Sequence, residues 1–272
     1  MCATCGCGDD GATITLAGSG ALPARGGDHP HPHDHPHDHD HTHAHTETIS
    51  LEQKVLAKND QIAEQNRQWL AERGILALNM TSSPGAGKTT LLERTIRELG
   101  GDRSVAVVEG DQETLLDADR IRAAGARAVQ VNTGAGCHLD ADMVHRALHA
   151  LDPEPDSLLL IENVGNLVCP ALFDLGEHGK VVVFSVTEGH DKPLKYPHMF
   201  AAAGLVIINK IDLVPYVTFD LETCLGYVRS VNPGVEVLPV SATSGDGIEA
   251  WYEWIRTEIG NLANSAFVPK TR

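Results

Sequence analysis

Thr81-Ser-Ser-Pro-Gly-Ala-Gly-Lys-Thr-Thr90 carries the residue types that hold a polyphosphate. Gly85, Ala86 and Gly87 make a small-residue turn whose N–H groups can aim at phosphate oxygens. Lys88 can reach the β- and γ-phosphates, and the hydroxyl of Thr89, followed by Thr90, can ligate Mg2+. The general pattern begins with Gly where this chain has Ser82; the Gly-x-Gly-Lys-Thr remainder is intact. A glycine-rich turn that merely contains a lysine is the competing reading.

Asn209-Lys-Ile-Asp212 follows an apolar run about 120 residues later. A carboxylate at Asp212 can accept from guanine N1–H and its exocyclic amine, whereas adenine offers an acceptor at N1 and is repelled. Asn209 can brace the loop, and the Lys210 stem can lie on the base face. Ser241-Ala242, after the next apolar run, resembles the loop whose backbone completes a base pocket. The motif alone is weak; its placement at a strand end after a phosphate loop favours GTP/GDP over ATP.

Two carboxylates end other apolar runs. Asp111 is placed to reach a metal or order the attacking water. Glu162, with Gly165 three residues on, stands where GTPases carry Asp-x-x-Gly, and supplies a hard oxygen suited to Mg2+. Gly165 can donate its N–H to the γ-phosphate. The catalytic set is therefore Lys88, Thr89, Asp111 and Glu162; that the two acids merely cap strands or following helices is the competing reading. No water-positioning Gln or arginine finger stands out, so hydrolysis is expected to be slow or completed by a partner.

Soft ligands form two groups. Cys2, Cys5 and Cys7 put three thiols within six residues, and His29, His31, His33, His35, His37, His39, His41, His43 and His45 alternate with Pro, Asp, Thr and Ala. Thiols and imidazoles suit Ni2+ and Zn2+. A redox role for the thiols and a solvated linker for the histidines remain open. The second group is Cys137, His138 and Cys169; Cys169 lies on the segment that Gly165 would move, which would couple metal to nucleotide state. Cys169, before Pro170, could instead be a small core residue. Cys224 reads as core.

These residues need a frame. Apolar runs Ile75–Met80, Ser104–Glu109, Ala126–Val131, Ser157–Ile161, Lys180–Val186, Leu205–Asn209 and Val235–Val240 alternate with helical patterns. This predicts an α/β fold with a doubly wound, mostly parallel sheet of the P-loop NTPase kind. Ser50 and Gln53 fit a capping box for a helix ending at Gly74, and a last helix spans Gly247–Ile259. Residues 1–28 are Gly-rich and irregular and 29–45 lack core-forming side chains, so 1–49 are expected to be a disordered Cys/His-rich segment, 50–260 the domain, and 261–272 a tail. Among 272 residues the net charge is −16, which argues against a nucleic-acid partner. No signal peptide or membrane span is legible, and a cytoplasmic setting is expected.

Ser82-Ser-Pro-Gly-Ala-Gly-Lys-Thr-Thr90, Glu109-Gly-Asp-Gln112 with Thr114, Gly136-Cys-His138, Glu162-Asn-Val-Gly-Asn-Leu167 with Cys169-Pro170, and Asn209-Lys-Ile-Asp212 together resemble the HypB family. These are GTPases that insert nickel into nickel–iron hydrogenases. The resemblance covers nearly all of 50–260 and the Cys-rich start. It implies a GTPase class that dimerises with GTP bound, and a metal site of Cys137, His138 and Cys169 at the dimer interface. It also implies a high-affinity nickel motif at Cys2, Cys5 and Cys7, and nickel storage by the His run. The implied partners are a HypA-type zinc protein and the hydrogenase large-subunit precursor. A urease-type accessory GTPase is the near alternative, but its metal loop carries Cys-Pro-His where Cys137 and His138 are adjacent. A passive nickel buffer and a small-molecule kinase are the others.

Overall fold

The computed structural model describes residues 13–16, 44–111, 116–134 and 136–266, with side chains over 53–111, 117–134 and 136–264. The elements begin with β1 (Thr13–Leu16), α1 (Ala44–Glu72), β2 (Leu76–Ser82), α2 (Lys88–Leu99), β3 (Val105–Asp111), α3 (Leu116–Ala123), β4 (Arg127–Asn132), α4 (Ala141–Leu151) and β5 (Leu158–Gly165). They continue with β6 (Gly179–Ser185), the short α5 (Lys192–Lys195) and α6 (Pro197–Ala201), β7 (Leu205–Asn209), α7 (Leu221–Val231), β8 (Glu236–Pro239) and α8 (Ile248–Ala266).

The strands pair in the order β1-β4-β3-β5-β2-β6-β7-β8. Strands β2 to β8 are parallel, and β1 runs antiparallel to β4. From β2 the chain winds outward to one side through β3 and β4, and to the other through β6, β7 and β8. The crevice beside β2 is the switch point where such sheets bind ligands.

Side chains alternate between the two faces, as a strand period of two requires. Leu158 and Leu160 of β5 join Val105 and Val107 of β3 under α2 and α8. Leu159 and Ile161 join Ala106 and Val108 under α1 and α4. Val182, Phe184, Val206 and Ile208 are covered by α6 and α7. Each fully buried Leu or Ile contributes about 1.5–3 kcal/mol. Trp251 of α8 satisfies its indole N–H on Thr95 Oγ1 at 2.8 Å.

The register between β2 and β5 is interrupted: Met80 faces Glu162, but Ser82 faces Gly165, so β5 carries one extra residue there. The seven predicted strands are β2 to β8: β7 has the expected ends, β5 runs on to Gly165, and the others are shifted by a residue or two.

Three expectations are corrected. Residues 13–16, read as irregular, form β1; four residues among glycines give no periodic signal, and the strand exists by pairing with β4. Helix α1 begins at Ala44, so Ser50 lies inside it and is not its cap. The last helix continues to Ala266 rather than Ile259. Gly74 does end α1: its φ is +65°, and a Cβ there would collide with the Asp156 carboxylate.

Candidate nucleotide site and metal centre

The loop between β2 and α2 is shaped by two glycines in the left-handed region. Gly85 has φ +73° and Gly87 φ +92°. Gly87 caps α2, and a Cβ there would lie 2.5 Å from Asn209 Nδ2, so only glycine fits. Ser82 is different: it finishes β2 in extended conformation and donates its hydroxyl to Ser83 O at 2.9 Å. A residue that ends a strand has no need of glycine's freedom, which accounts for the departure at this position.

Glu162 closes the loop from β5. Its Oε1 accepts from Lys88 Nζ at 3.0 Å and from Thr89 Oγ1 at 2.8 Å. Its Oε2 is buried without a hydrogen-bond partner. Opposite it in register on β3 stands Glu109, 2% exposed, whose Oε2 is likewise unpartnered. Burial first, then the charges of Glu162, Asp111 and Asp117, push the Glu109 carboxyl up to about 8, with Lys88 opposing. Two buried carboxylates with orphaned oxygens beside a Thr hydroxyl fit a hard divalent cation such as Mg2+.

These groups line a cavity of about 570 Å³ with Gly85, Ala86, Gly87, Thr90, Asp111, Gly165, Asp117 and Arg120. Gly165 lies against Pro84, and a Cβ would come within 3.1 Å of its Cα. Glu109 was absent from the residues expected to act. Its signal was present: Glu109 and Asp111 stand two apart at the end of a strand, hence on one face.

At the base end, Asn209 holds two loops at once. Its Nδ2 donates to Ala86 O at 2.8 Å, and its Oδ1 accepts from Ala242 N at 3.0 Å. Ser241 Oγ donates to Asp212 Oδ1 at 2.6 Å and so fixes the carboxylate's orientation. Lys210 takes φ +62° and donates to Gly85 O at 2.7 Å, folding back over the phosphate loop. Asn209, Lys210, Asp212, Ser241 and Ala242 are thus brought together with Gly85 and Ala86.

The second constellation is Cys137, His138 and Cys169, whose ligand atoms lie within 4.8 Å of one another. Cys137 Sγ is 3.0 Å from Cys169 Sγ and 3.6 Å from His138 Nδ1. Both cysteines are free thiols and partly exposed, so Cys169 is not a core residue. His138 is buried against Phe173, ring centroids 4.1 Å apart. Burial lowers its pKa, with Asp140 opposing, and so favours the neutral imidazole that ligates metal. Two thiols and an imidazole form a donor set for Ni2+ or Zn2+. Cys224, by contrast, is on the buried face of α7 with its thiol pushed up to about 12, the state of an inert core cysteine.

Strand β5 connects the two constellations. Glu162 points to the α2 side and Asn163, the next residue, to the α1/α4 side. Asn163 Oδ1 accepts from Leu139 N at 3.0 Å, directly after His138, and its Nδ2 donates to Asn79 Oδ1 at 3.2 Å. Asn79 Nδ2 continues to Glu177 Oε1 at 2.9 Å. Asn166 Nδ2 donates to Cys137 O at 3.3 Å. From α1, Asn59 accepts from Ala141 N at 2.9 Å and donates to Asp174 O at 2.8 Å, tying the segment of His138 to that of Cys169. The sequence reading missed these asparagines. A polar residue inside an otherwise apolar strand, as at Asn79, was the available sign.

Cys2, Cys5, Cys7, His29, His31, His33, His35, His37, His39, His41, His43, Gln112 and Thr114 lie outside the described residues, as does the side chain of His45. Among the described residues no helix is long and apolar enough to cross a membrane.

Residues 76–239 match the family described as CobW/HypB/UreG, nucleotide-binding domain. The Hydrogenase maturation factor HypB of Escherichia coli strain K12 is 56% identical over 210 residues, covering 77% of this chain and 72% of that protein. Among solved structures, HypB from Archaeoglobus fulgidus is 41% identical with a TM-score of 0.70, over 75% of this chain and 99% of that one. HypB from Helicobacter pylori in complex with nickel is 36% identical, TM-score 0.70, over 79% of this chain and 100% of that one. A phosphate loop, a guanine-type loop and a thiol–imidazole cluster set on one parallel sheet, with these relatives, show that the chain belongs to the HypB family of hydrogenase maturation factors.

Proposed function

We propose that this protein binds and hydrolyses GTP and that the nucleotide state governs nickel held by Cys137, His138 and Cys169, for delivery to a nickel–iron hydrogenase precursor. The observation that carries this reading is the adjacency of Glu162 and Asn163: one accepts from Lys88 and Thr89, the other holds the backbone beside His138. A cation and γ-phosphate entering the cavity would compete for Lys88 and Thr89, and any shift of Glu162 would be felt one residue on. Mg2+, when bound, would supply charge neutralisation between the phosphates. Thr89, Glu162 and Glu109 would hold it, Lys88 would bind phosphate, and Asp111 would order water. Asp212 and Ser241 would select guanine.

Nickel is the cargo here, and Zn2+ is the competing ion for the same donors. Val168 and Leu172, 58% and 61% exposed, flank Cys169. An apolar rim around a half-open ligand set supports a homodimer that shares the ion. Residues 1–49, with Cys2, Cys5, Cys7 and the alternating histidines, are read as the capture and storage segment, and a HypA-type zinc protein as the transfer partner.

The test is a nickel and zinc titration of the full chain and of a chain lacking residues 1–49, each with GDP and with a non-hydrolysable GTP analogue. A nucleotide-dependent affinity is expected to survive truncation and to be lost in Cys169→Ser. Equal affinity with both nucleotides in the truncated chain would remove the gating role.

A further inference from the structure

We propose a second metal position on the nucleotide-binding domain, formed by His145 and His149 of α4 and suited to a borderline divalent cation such as Ni2+ or Zn2+. The two residues stand four apart, on one face of the helix. Their ring centroids are 4.6 Å apart and their planes 76° apart, so the rings meet edge to face rather than stacking. His145 is half-buried and His149 is exposed, which leaves the pair open to solvent on one side.

Asn66 decides which nitrogen of His145 is available. It is fully buried on α1, and its amide nitrogen donates to Ala141 O at 2.9 Å and to Leu175 O at 3.0 Å, using both hydrogens. Its Oδ1 can only accept, and it lies 2.9 Å from His145 Nδ1. His145 therefore carries a proton on Nδ1, and in the neutral ring the lone pair belongs to Nε2. A ligating histidine is held in this way, one ring nitrogen anchored in a buried acceptor and the other turned to the ion. His149 contributes the second imidazole at the spacing that lets two helical histidines grip one metal. It also packs edge-on against Trp69, centroids 5.9 Å apart, which restricts the ring.

A pair of nitrogen ligands selects Ni2+, Zn2+ or Cu2+ over Mg2+. With water filling the remaining positions, the ion exchanges more readily than one held by two thiols and an imidazole. His145 is about 6 Å of helix rise from Ala141, close behind His138 in the chain. The position stands independently of GTP gating, because neither histidine touches the phosphate cavity.

The test uses the full chain. Diethyl pyrocarbonate modifies unliganded imidazole, and mass spectrometry reads His145 and His149 separately from the other histidines. Titration with nickel chloride is expected to protect both residues at the same nickel concentration. His149→Gln, at an exposed position, is expected to move the protection of His145 to at least about tenfold higher nickel. Cys137→Ser is expected to leave the protection of the pair unchanged. Absence of protection at millimolar nickel overturns the proposal. So does protection of His145 that is indifferent to His149→Gln, or that disappears with Cys137→Ser.

Discussion

At the phosphate end of the domain the reactive groups are hard, charged and already engaged with one another. Lys88, partly buried, is paired with the buried Glu162, and Thr89 shares the same carboxylate oxygen. At the cluster of Cys137, His138 and Cys169 the donors are soft, and they are positioned mainly by what the backbone beside them bonds to. The first set is part of the electrostatics that hold the sheet end together. The second is carried on loops that the sheet and α1 hold from behind. Substitutions should therefore cost fold and function together at the first site, and function alone at the second.

Lys88→Ala should show the largest effect. It leaves Glu162 buried without its cation, so unfolding free energy in denaturant should fall by about 3–5 kcal/mol as nucleotide binding is lost. Unchanged stability would erase the distinction between the two sites. Asp212→Asn should be purely functional: two hydrogen bonds to a charged acceptor, about 3 kcal/mol together, correspond to roughly a hundredfold weaker GTP binding. Xanthosine triphosphate should regain affinity in a competition titration, and failure to do so would refute the guanine assignment.

Asn163→Ala addresses the link between the sites. It strands the Leu139 N–H at a cost of about 1–3 kcal/mol. Metal affinity measured with GDP and with a GTP analogue should become equal, while GTP binding itself persists. A retained difference would show that coupling runs through another path.

The smallest effect concerns His178, behind the Cys169 segment. Its Nδ1 accepts from Ala77 N at 3.2 Å, and burial, aided by Arg67, holds its pKa below the ordinary 6.5. The unfolded chain then takes up a proton first as pH falls. Stability is full above about pH 6.5 and declines below it, down through the lowered value. His178→Gln should flatten that slope in thermal unfolding at pH 5–7, without altering nucleotide affinity.

The sequence disclosed the phosphate loop because its geometry is made by consecutive residues. Gly85, Gly87, Lys88 and Thr89 need only their own backbone turn. Asn209 and Asp212 were legible for the same reason. Glu109 could be placed on one face with Asp111, but not opposite Glu162 across two strands, because register is not written locally. Asn79, Asn163, Asn59 and Asn66 were hidden for a similar reason: the partners that give each its role lie far away in the sequence. The Cys137–His138–Cys169 set was readable by ligand chemistry, although its convergence depended on β4 and β5 ending at the same height. Ser50 misled because a local capping pattern is a weaker determinant than continuation of a long helix.

The extra residue in β5 gives the segment from Glu162 to Cys169 a fixed phase. Ahead of it, alternation sends Glu162 to the phosphates and Asn163 to the opposite face. Past it, Gly165 sits against Pro84, and Leu167 is buried in the core beneath α6. Removing one residue here would take the irregularity out of β5, displace Gly165 from its place against Pro84, and leave the loop that carries Cys169 to Cys137 one residue short. Exchanges of residue type at the exposed Val168 leave that phase intact. Along this stretch the number of residues is a requirement in its own right, added to the identities of Glu162, Asn163, Gly165 and Cys169.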